Sequence, residues 1–186
     1  KGKNFLKEVI DSDPKNMSAL NNLGIIYRSL GEFDNAKNCY NEATKLSPRN
    51  PNAYYNLGAL HFELNDLEKA KSSFRKSIEL EPGFAVAFLA LGNIYKELKE
   101  YESAINSYQQ VIKINNKIVS AHNNLGLVYR NVNDLKKAIK CYKTAIKIES
   151  NHTSAHHNLA LALKKIGKFD EAIKSHKVAI EKEPEN

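Results

Sequence analysis

The sequence of 186 residues contains no tryptophan, one methionine, five prolines and only two cysteines. Cys39 and Cys141 lie too far apart along the chain for a disulfide framework or the ligand spacing of a zinc site. No stretch approaches the roughly 18 apolar residues of a membrane span, and the first residues do not resemble a signal peptide. These absences favour a cytoplasmic protein without a membrane partner. The start at Lys1 without an initiator methionine predicts a piece of a longer chain.

A shift of 34 residues brings five segments of the sequence into register. A leucine followed by a small residue recurs at Leu23-Gly24, Leu57-Gly58, Leu91-Gly92, Leu125-Gly126 and Leu159-Ala160. A bulky group recurs at Tyr40, Phe74, Tyr108, Tyr142 and His176. The predicted repeats are 17–50, 51–84, 85–118, 119–152 and 153–186, and residues 1–16 match the second half of a preceding repeat. A period of this length is typical of a helical solenoid.

Each predicted repeat contains two helical patterns separated by a turn. In the first repeat, Leu20, Leu23 and Tyr27 share one face of a helix, and a second apolar face follows from Ala36. The turn position holds Gly31, Asn65, Lys99, Asn133 and Gly167 in the successive repeats. Glycine and asparagine tolerate the left-handed conformation that ends a helix, so four of the five turns carry a favourable stop. No segment indicates a strand.

These units resemble the tetratricopeptide repeat, whose length and helix–turn–helix pattern they share along the whole chain. The resemblance implies an all-α fold, a right-handed superhelical solenoid of antiparallel hairpins whose first helices line a concave groove. It also implies a protein-interaction scaffold rather than an enzyme, with no cofactor. The sequence departs from the family at Leu20, His122 and His156, where an aromatic residue is common, and at Ala160, where glycine is usual.

Asparagine precedes the leucine–small pair in four repeats, at Asn22, Asn56, Asn124 and Asn158, while Ala90 stands in the third. We expect this position to face the groove, where an amide can pair with both the C=O and the N–H of an extended peptide. The pattern is similar to the asparagine ladder of the O-linked N-acetylglucosamine transferase repeats. Because asparagine occurs 22 times in the chain, a merely solvated polar face is the alternative interpretation.

A second row lies six residues after the ladder and holds Arg28, Phe62, Lys96, Arg130 and Lys164. Four cations on the groove side favour an acidic or phosphorylated peptide, although cations also stabilise helix C-termini. Asn93 and Asn124 match the asparagines of the family's carboxylate clamp for chaperone tails. The clamp's lysine positions hold no lysine here, so chaperone-tail binding is not expected.

The histidines and hydroxyl groups do not form a recognisable catalytic or metal site. His152 and His156 are four residues apart, beside His157, but no carboxylate or cysteine completes a ligand set. We interpret His122 and His156, which share one repeat position, as packing residues. No nucleophile elbow or phosphate loop occurs in the sequence.

The net charge of +7 is concentrated in the fourth repeat, which carries +4. Its lysines belong to the second helix, predicted to face outward: Lys136, Lys137, Lys140, Lys143 and Lys147. Nucleic acid would favour a continuous basic track, so a nucleic-acid-binding repeat is the less favoured alternative. A third possibility is that the segment recruits substrates for a larger transferase-type enzyme.

The terminal repeats offer a further type of contact. An array that ends at a repeat boundary exposes the apolar face on which another repeat would stack. The sequence therefore predicts possible end-to-end self-association of two copies.

Overall fold

The computed structural model describes residues 2–182 of the chain, which form eleven α-helices and no strand. The helices are α1 (Gly2–Ser12), α2 (Met17–Ser29), α3 (Phe33–Leu46), α4 (Pro51–Glu63), α5 (Leu67–Leu80), α6 (Ala85–Glu97), α7 (Tyr101–Ile114), α8 (Val119–Asn131), α9 (Leu135–Ile148), α10 (Thr153–Lys165) and α11 (Phe169–Lys182). The predicted all-α fold class is confirmed. None of the described helices combines the length and the apolar character needed to cross a membrane.

The helices alternate between two kinds. The first helices of the predicted repeats (α2, α4, α6, α8 and α10) begin 34 residues apart, and each is followed by a second helix (α3, α5, α7, α9 and α11). Helix α1 precedes them and occupies the place of a second helix, packed on α2. Because only a few residues join each pair, its two helices run antiparallel.

The chain divides into two compact units, Lys1–Ala90 and Leu91–Asn186. In the first unit, α2 packs on α1 and α3, and α4 packs on α3 and α5. In the second unit, α8 packs on α7 and α9, and α10 packs on α9 and α11. The first helices α2 and α4 of one unit, and α8 and α10 of the other, thus each lie between two second helices.

The turn between the two helices of each pair contains one residue in the left-handed conformation. The φ angles are 73° at Gly31, 57° at Asn65, 60° at Lys99, 62° at Asn133 and 79° at Gly167. Four of these residues suit that conformation, as expected. Lys99 adopts it too, because the helices on both sides impose the turn although the side chain disfavours it.

Small residues of the first helices lie against rings of the second helices. A Cβ atom added to Gly24, Gly92 or Gly126 would lie 2.5–2.6 Å from a ring carbon of Tyr40, Tyr108 or Tyr142. At Gly58 the closest carbon, of Phe74, would be 2.9 Å away. Because no side-chain atom fits there, these four glycines allow a buried ring beside the backbone.

Candidate functional site

Each unit contains a groove on the side of its first helices. The first-unit groove has a volume of about 550 Å³ and is lined by α2, α4 and the start of α6. The second-unit groove has a volume of about 630 Å³ and is lined by α8, α10 and the end of α11. Asparagines at the same repeat positions line both, namely Asn21 and Asn56 in one and Asn123 and Asn158 in the other.

Two ladder asparagines form hydrogen bonds with the preceding first helix. Nδ2 of Asn56 donates to Oδ1 of Asn21 at 2.9 Å, and Nδ2 of Asn158 donates to Oδ1 of Asn123 at 3.1 Å. Both donors are buried, with 9% of their surface exposed. The fold therefore already uses part of their hydrogen-bonding capacity. The sequence contained one signal for this pairing, an asparagine directly before the ladder position at Asn21 and Asn123.

The other two ladder asparagines have different surroundings. Asn22 is exposed in the first-unit groove and makes no side-chain hydrogen bond to another residue of the described part of the chain. Asn124 is half-buried, and its Nδ2 donates to Oδ1 of Asn93 at 3.0 Å. The same oxygen accepts the Tyr108 hydroxyl proton at 2.8 Å. Asn93 and Asn124 thus lie together, and Asn22 retains a free amide.

Arg28 and Arg130 occupy the same repeat position but have different partners. Nε of Arg28 lies 3.5 Å from Oε1 of Glu63, and its buried Nη1 has no hydrogen-bond partner among the described residues. Nη1 of Arg130 instead donates to Oδ1 of Asn158 at 3.3 Å. The position equivalent to Glu63 holds Lys165 in the second unit, so Arg130 meets no carboxylate there.

The remaining cations of this row are Lys96, which is half-buried, and Lys164, which is exposed. Neither forms an ion pair within residues 2–182. Lys165, next to Lys164, donates from Nζ to Oδ1 of Asn133 at 2.9 Å. In the second unit, Arg130 thus contacts the groove residue Asn158 and has no carboxylate partner among the described residues, whereas Arg28 in the first unit pairs with Glu63.

Two buried tyrosines lie close to these arginines. The hydroxyl groups of Tyr40 and Tyr142 have no hydrogen-bond partner among residues 2–182. Burial raises the pKa of each to about 12, and the charges of Arg28 and Arg130, respectively, oppose that rise. Burial also raises the pKa of Tyr108. All three therefore remain neutral at physiological pH and contribute no negative charge to the site.

Three of the six histidines contact backbone groups. The Nε2 atoms of His122 and His156 lie 2.9 Å and 3.0 Å from the carbonyl oxygens of Asn116 and Ser150, each six residues earlier. Nδ1 of His152 accepts a hydrogen bond from the Ala155 amide and so caps α10. The described residues contain no group of three or more side chains suited to holding a metal ion.

Removal from water raises the pKa of both thiols, of which Cys39 is buried and Cys141 partly buried. The pKa of Cys141 is raised to about 11, and that of Cys39 is also raised. Both are therefore protonated at neutral pH, whereas a nucleophilic cysteine must be a thiolate.

Helix α11 exposes an apolar face. Phe169, Ile173 and Ile180 are 60%, 54% and 57% exposed. The equivalent side chains of α9, which lies between α8 and α10, are only partly exposed: Leu135, Ile139 and Ile146. The difference shows how much apolar surface a neighbouring helix covers at this position.

Models of one family match the chain in several segments. A model described as TPR repeat matches residues 26–65 and 92–133. Two models described as tetratricopeptide repeat match residues 51–84 and 119–152 in one case, and 5–38, 73–106 and 141–174 in the other. The last of these covers more than half of the sequence. A comparison with curated proteins gives no match.

Solved structures are similar along most of the chain. MamA is 30% identical, with a TM-score of 0.80 over 90% of this chain and 92% of its own. YrrB, described as a TPR protein with an unusual peptide-binding site, is 19% identical, with a TM-score of 0.78 over 97% and 93%. PilF of Pseudomonas aeruginosa is 19% identical, with a TM-score of 0.83 over 100% and 80%. The latter two share the fold alone.

Proposed function

Because the chain belongs to the tetratricopeptide repeat family, we propose that it is a non-catalytic scaffold that holds an extended peptide segment of a partner protein in its grooves. Tetratricopeptide repeats generally bind protein or peptide partners, so interaction with another protein follows from the family. The peptide, its backbone pairing with asparagine and its acidic character form the proposal. The observation that carries it is the density of amide groups in the first-unit groove.

Five asparagines line the first-unit groove: Asn21, Asn22, Asn50, Asn52 and Asn56. The Asn50 side chain caps α4, and the Asn56 amide donates to Asn21. Asn22 and Asn52 are exposed, and neither side chain is hydrogen-bonded to another described residue. A peptide backbone has one donor and one acceptor per residue, which these amides can pair in both directions.

Apolar side chains lie beside these amides. The rings of Tyr55 and Phe84 stand edge to face, with their centroids 5.5 Å apart, and Val86 is exposed at the start of α6. Alternate side chains of an extended peptide point to opposite sides. One set of ligand side chains can thus contact this apolar wall while the peptide backbone reaches the asparagines.

Charge favours an acidic ligand over the second unit. Arg130 has no carboxylate partner within the described residues, and Lys164 and Lys165 follow at the end of α10. An ionised ligand group forms stronger hydrogen bonds with such donors than a neutral one. The bond from Arg130 to Asn158 also holds the guanidinium beside the groove before a ligand arrives.

The comparison with YrrB supports a peptide ligand, since that protein of similar fold has a peptide-binding site.

A contact between two copies of the chain through the apolar face of α11 is part of the proposal as well. Light scattering over a dilution series tests that contact. An average mass that rises with concentration supports it, and a constant monomer mass contradicts it.

The groove is tested with peptides selected on the immobilised protein from a random 12-residue library. The affinity of a selected peptide is then measured by fluorescence anisotropy for the double variant Asn22→Ala, Asn52→Ala, which removes the two exposed amides of the first-unit groove. We expect at least a tenfold loss, because each replaced amide removes hydrogen bonds worth about 1 kcal/mol.

The matched control is the double variant Asn38→Ala, Asn106→Ala, which removes two exposed amides from the second helices α3 and α7. It should bind the peptide as the parent does. Equal binding by the groove variant would contradict the proposal, provided that both variants melt like the parent in circular dichroism.

A further inference from the structure

The second helix α9 carries a straight row of lysines on its exposed face. Lys136, Lys140, Lys143 and Lys147 follow one another at intervals of four, three and four residues, and all four are exposed. The row is about 16 Å long, given a rise of about 1.5 Å per residue. Helix α9 contains no carboxylate, and its buried residues lie on another face. We call this row the α9 lysine row.

Lys136 has the opposite charge to the residues at its position in the other second helices, and this difference does not stabilise the helix. Its position holds an acidic residue in the first turn of the other four: Asp34, Glu68, Glu102 and Asp170. A carboxylate there interacts favourably with the positive end of the helix dipole, whereas a lysine is repelled. Departures from local preference are concentrated at functional positions.

Carboxylates on the neighbouring elements neutralise little of this charge. Asp134, which caps α9, pairs with Lys137, outside the row, at 2.9 Å. Glu171 of α11 lies 2.6 Å from Nζ of Lys168 and 3.6 Å from Nζ of Lys143. The other three lysines of the row have no ion pair within residues 2–182. They are therefore available to an external anion.

A small apolar cavity adjoins the α9 lysine row. Its volume is about 240 Å³, and its lining combines Ile139, Leu163 and Ile166 with Lys136, Lys143 and Lys168. The apolar atoms lie between α9 and the end of α10, where Leu163 is buried, Ile139 is partly buried and Ile166 is exposed at the rim, with cations around them. This arrangement fits one apolar side chain flanked by carboxylates.

We propose that the α9 lysine row and this cavity form a second binding surface, separate from the grooves, for an acidic segment of a partner protein that inserts one apolar side chain. The row supplies charge complementarity to the carboxylates, and the cavity takes the apolar side chain. Nucleic acid would leave the apolar lining unused. A flat membrane surface would not reach the buried Leu163 at the base of the cavity.

The test uses two peptides, lipid vesicles and an RNA as probes at low ionic strength. The first is a fluorescein-labelled peptide of five Glu-Glu-Leu units, and the second is its Glu-Glu-Ser counterpart, which keeps the charge but lacks the apolar side chains. The third set consists of phosphatidylserine vesicles and a 15-nucleotide oligouridine RNA. Binding is measured for the parent and for the row variant Lys136→Gln, Lys140→Gln, Lys143→Gln.

The control variant Lys7→Gln, Lys113→Gln, Lys117→Gln removes the same charge from exposed positions elsewhere. We expect the row variant to bind the Glu-Glu-Leu peptide at least about tenfold more weakly, since each exposed ion pair contributes up to about fivefold. The control variant and the groove variant Asn22→Ala, Asn52→Ala should bind it as the parent does. The latter result separates this surface from the grooves.

An equal loss in the control variant overturns the proposal, because net charge alone would then attract the peptide. Equal affinity for the Glu-Glu-Ser peptide overturns the role of the cavity. The proposal also fails if vesicles or RNA bind the parent more tightly than the peptide and lose that binding in the row variant.

The single variant Lys136→Glu distinguishes binding from folding. It restores the acidic first turn of the other second helices, so its melting temperature should rise while its affinity for the Glu-Glu-Leu peptide falls. Unchanged affinity together with the higher melting temperature would contradict a role for Lys136 in binding.

Discussion

Arg130 donates a hydrogen bond from Nη1 to Oδ1 of Asn158 at 3.3 Å. The equivalent arginine, Arg28, is instead 3.5 Å from the Glu63 carboxylate. The repeat position that holds Glu63 in the first unit holds Lys165 in the second. This difference decides whether the arginine has a carboxylate partner in the described part of the chain.

The variant Lys165→Glu should weaken the binding of an acidic groove peptide by about fivefold, because it places a carboxylate at the position where Glu63 neutralises Arg28. Conversely, Glu63→Lys should strengthen binding of an acidic peptide that occupies the first-unit groove. Anisotropy titrations with library-selected peptides and their Asp-to-Asn counterparts measure the effect. An equal change for the Lys113→Glu variant, on α7, would show that only net charge matters.

The ladder asparagines should differ in their contribution to stability. Asn56→Ala removes a buried hydrogen bond and leaves Asn21 without its donor, so the free energy of unfolding should fall by about 1 to 2 kcal/mol. Asn22→Ala removes an exposed side chain and should change it by less than about 0.5 kcal/mol. Urea denaturation of both variants measures the two changes in the free energy of unfolding. Equal destabilisation would contradict the assigned hydrogen bonds.

The contacts between first-helix glycines and second-helix rings predict that a glycine-to-alanine change destabilises the fold. Gly126→Ala should lower the free energy of unfolding by about 1 to 2 kcal/mol, because the new methyl group would meet the buried ring of Tyr142. The steric cost exceeds the gain of about 1 kcal/mol in helix propensity.

In the fifth predicted repeat, Ala160 stands at the position of Gly126 and His176 at that of Tyr142. A larger residue on the first helix is thus combined with a smaller ring on the second. The double variant Gly126→Ala, Tyr142→His should therefore be less destabilised than the sum of its two single variants in urea denaturation. Strict additivity would mean that the methyl group and the ring do not interfere.

The left-handed turn residue Lys99 offers a stabilising substitution. Its φ of 60° costs a side chain about 1 to 2 kcal/mol but is free of steric cost for glycine. Lys99→Gly should therefore raise the free energy of unfolding by about 1 kcal/mol once the greater freedom of glycine in the unfolded chain is subtracted. The change Gly31→Lys, at the equivalent turn, should act in the opposite direction. Thermal melts that show the reverse order would contradict the strain.

Local patterns in the sequence were sufficient to predict the helices and their order. The 3.6-residue periodicity, the leucine–small pair and the turn residues each act over a few neighbours, so they can be read from the chain alone. Lys99 was the exception among the turns. Its conformation is imposed by packing of the flanking helices, which intrinsic preference cannot show.

The site could be predicted only in part. The position of Asn56 in the ladder follows from the period, but its hydrogen bond to Asn21 depends on the distance between two first helices. Likewise, Arg28 and Arg130 occupy the same repeat position, so the period alone cannot distinguish them. Their partners differ because the next repeat offers Glu63 to Arg28 but places Lys165 at the equivalent position for Arg130. Such contacts between repeats need three-dimensional positions.

The binding of a peptide backbone by groove amides is tested most directly by NMR of the side-chain NH₂ groups. A library-selected peptide is titrated into the ¹⁵N-asparagine-labelled protein. The account predicts large shifts for the side-chain NH₂ signals of Asn22 and Asn52, with those of Asn38 and Asn106 unchanged. Unchanged Asn22 and Asn52 signals at saturation with every selected peptide would contradict it.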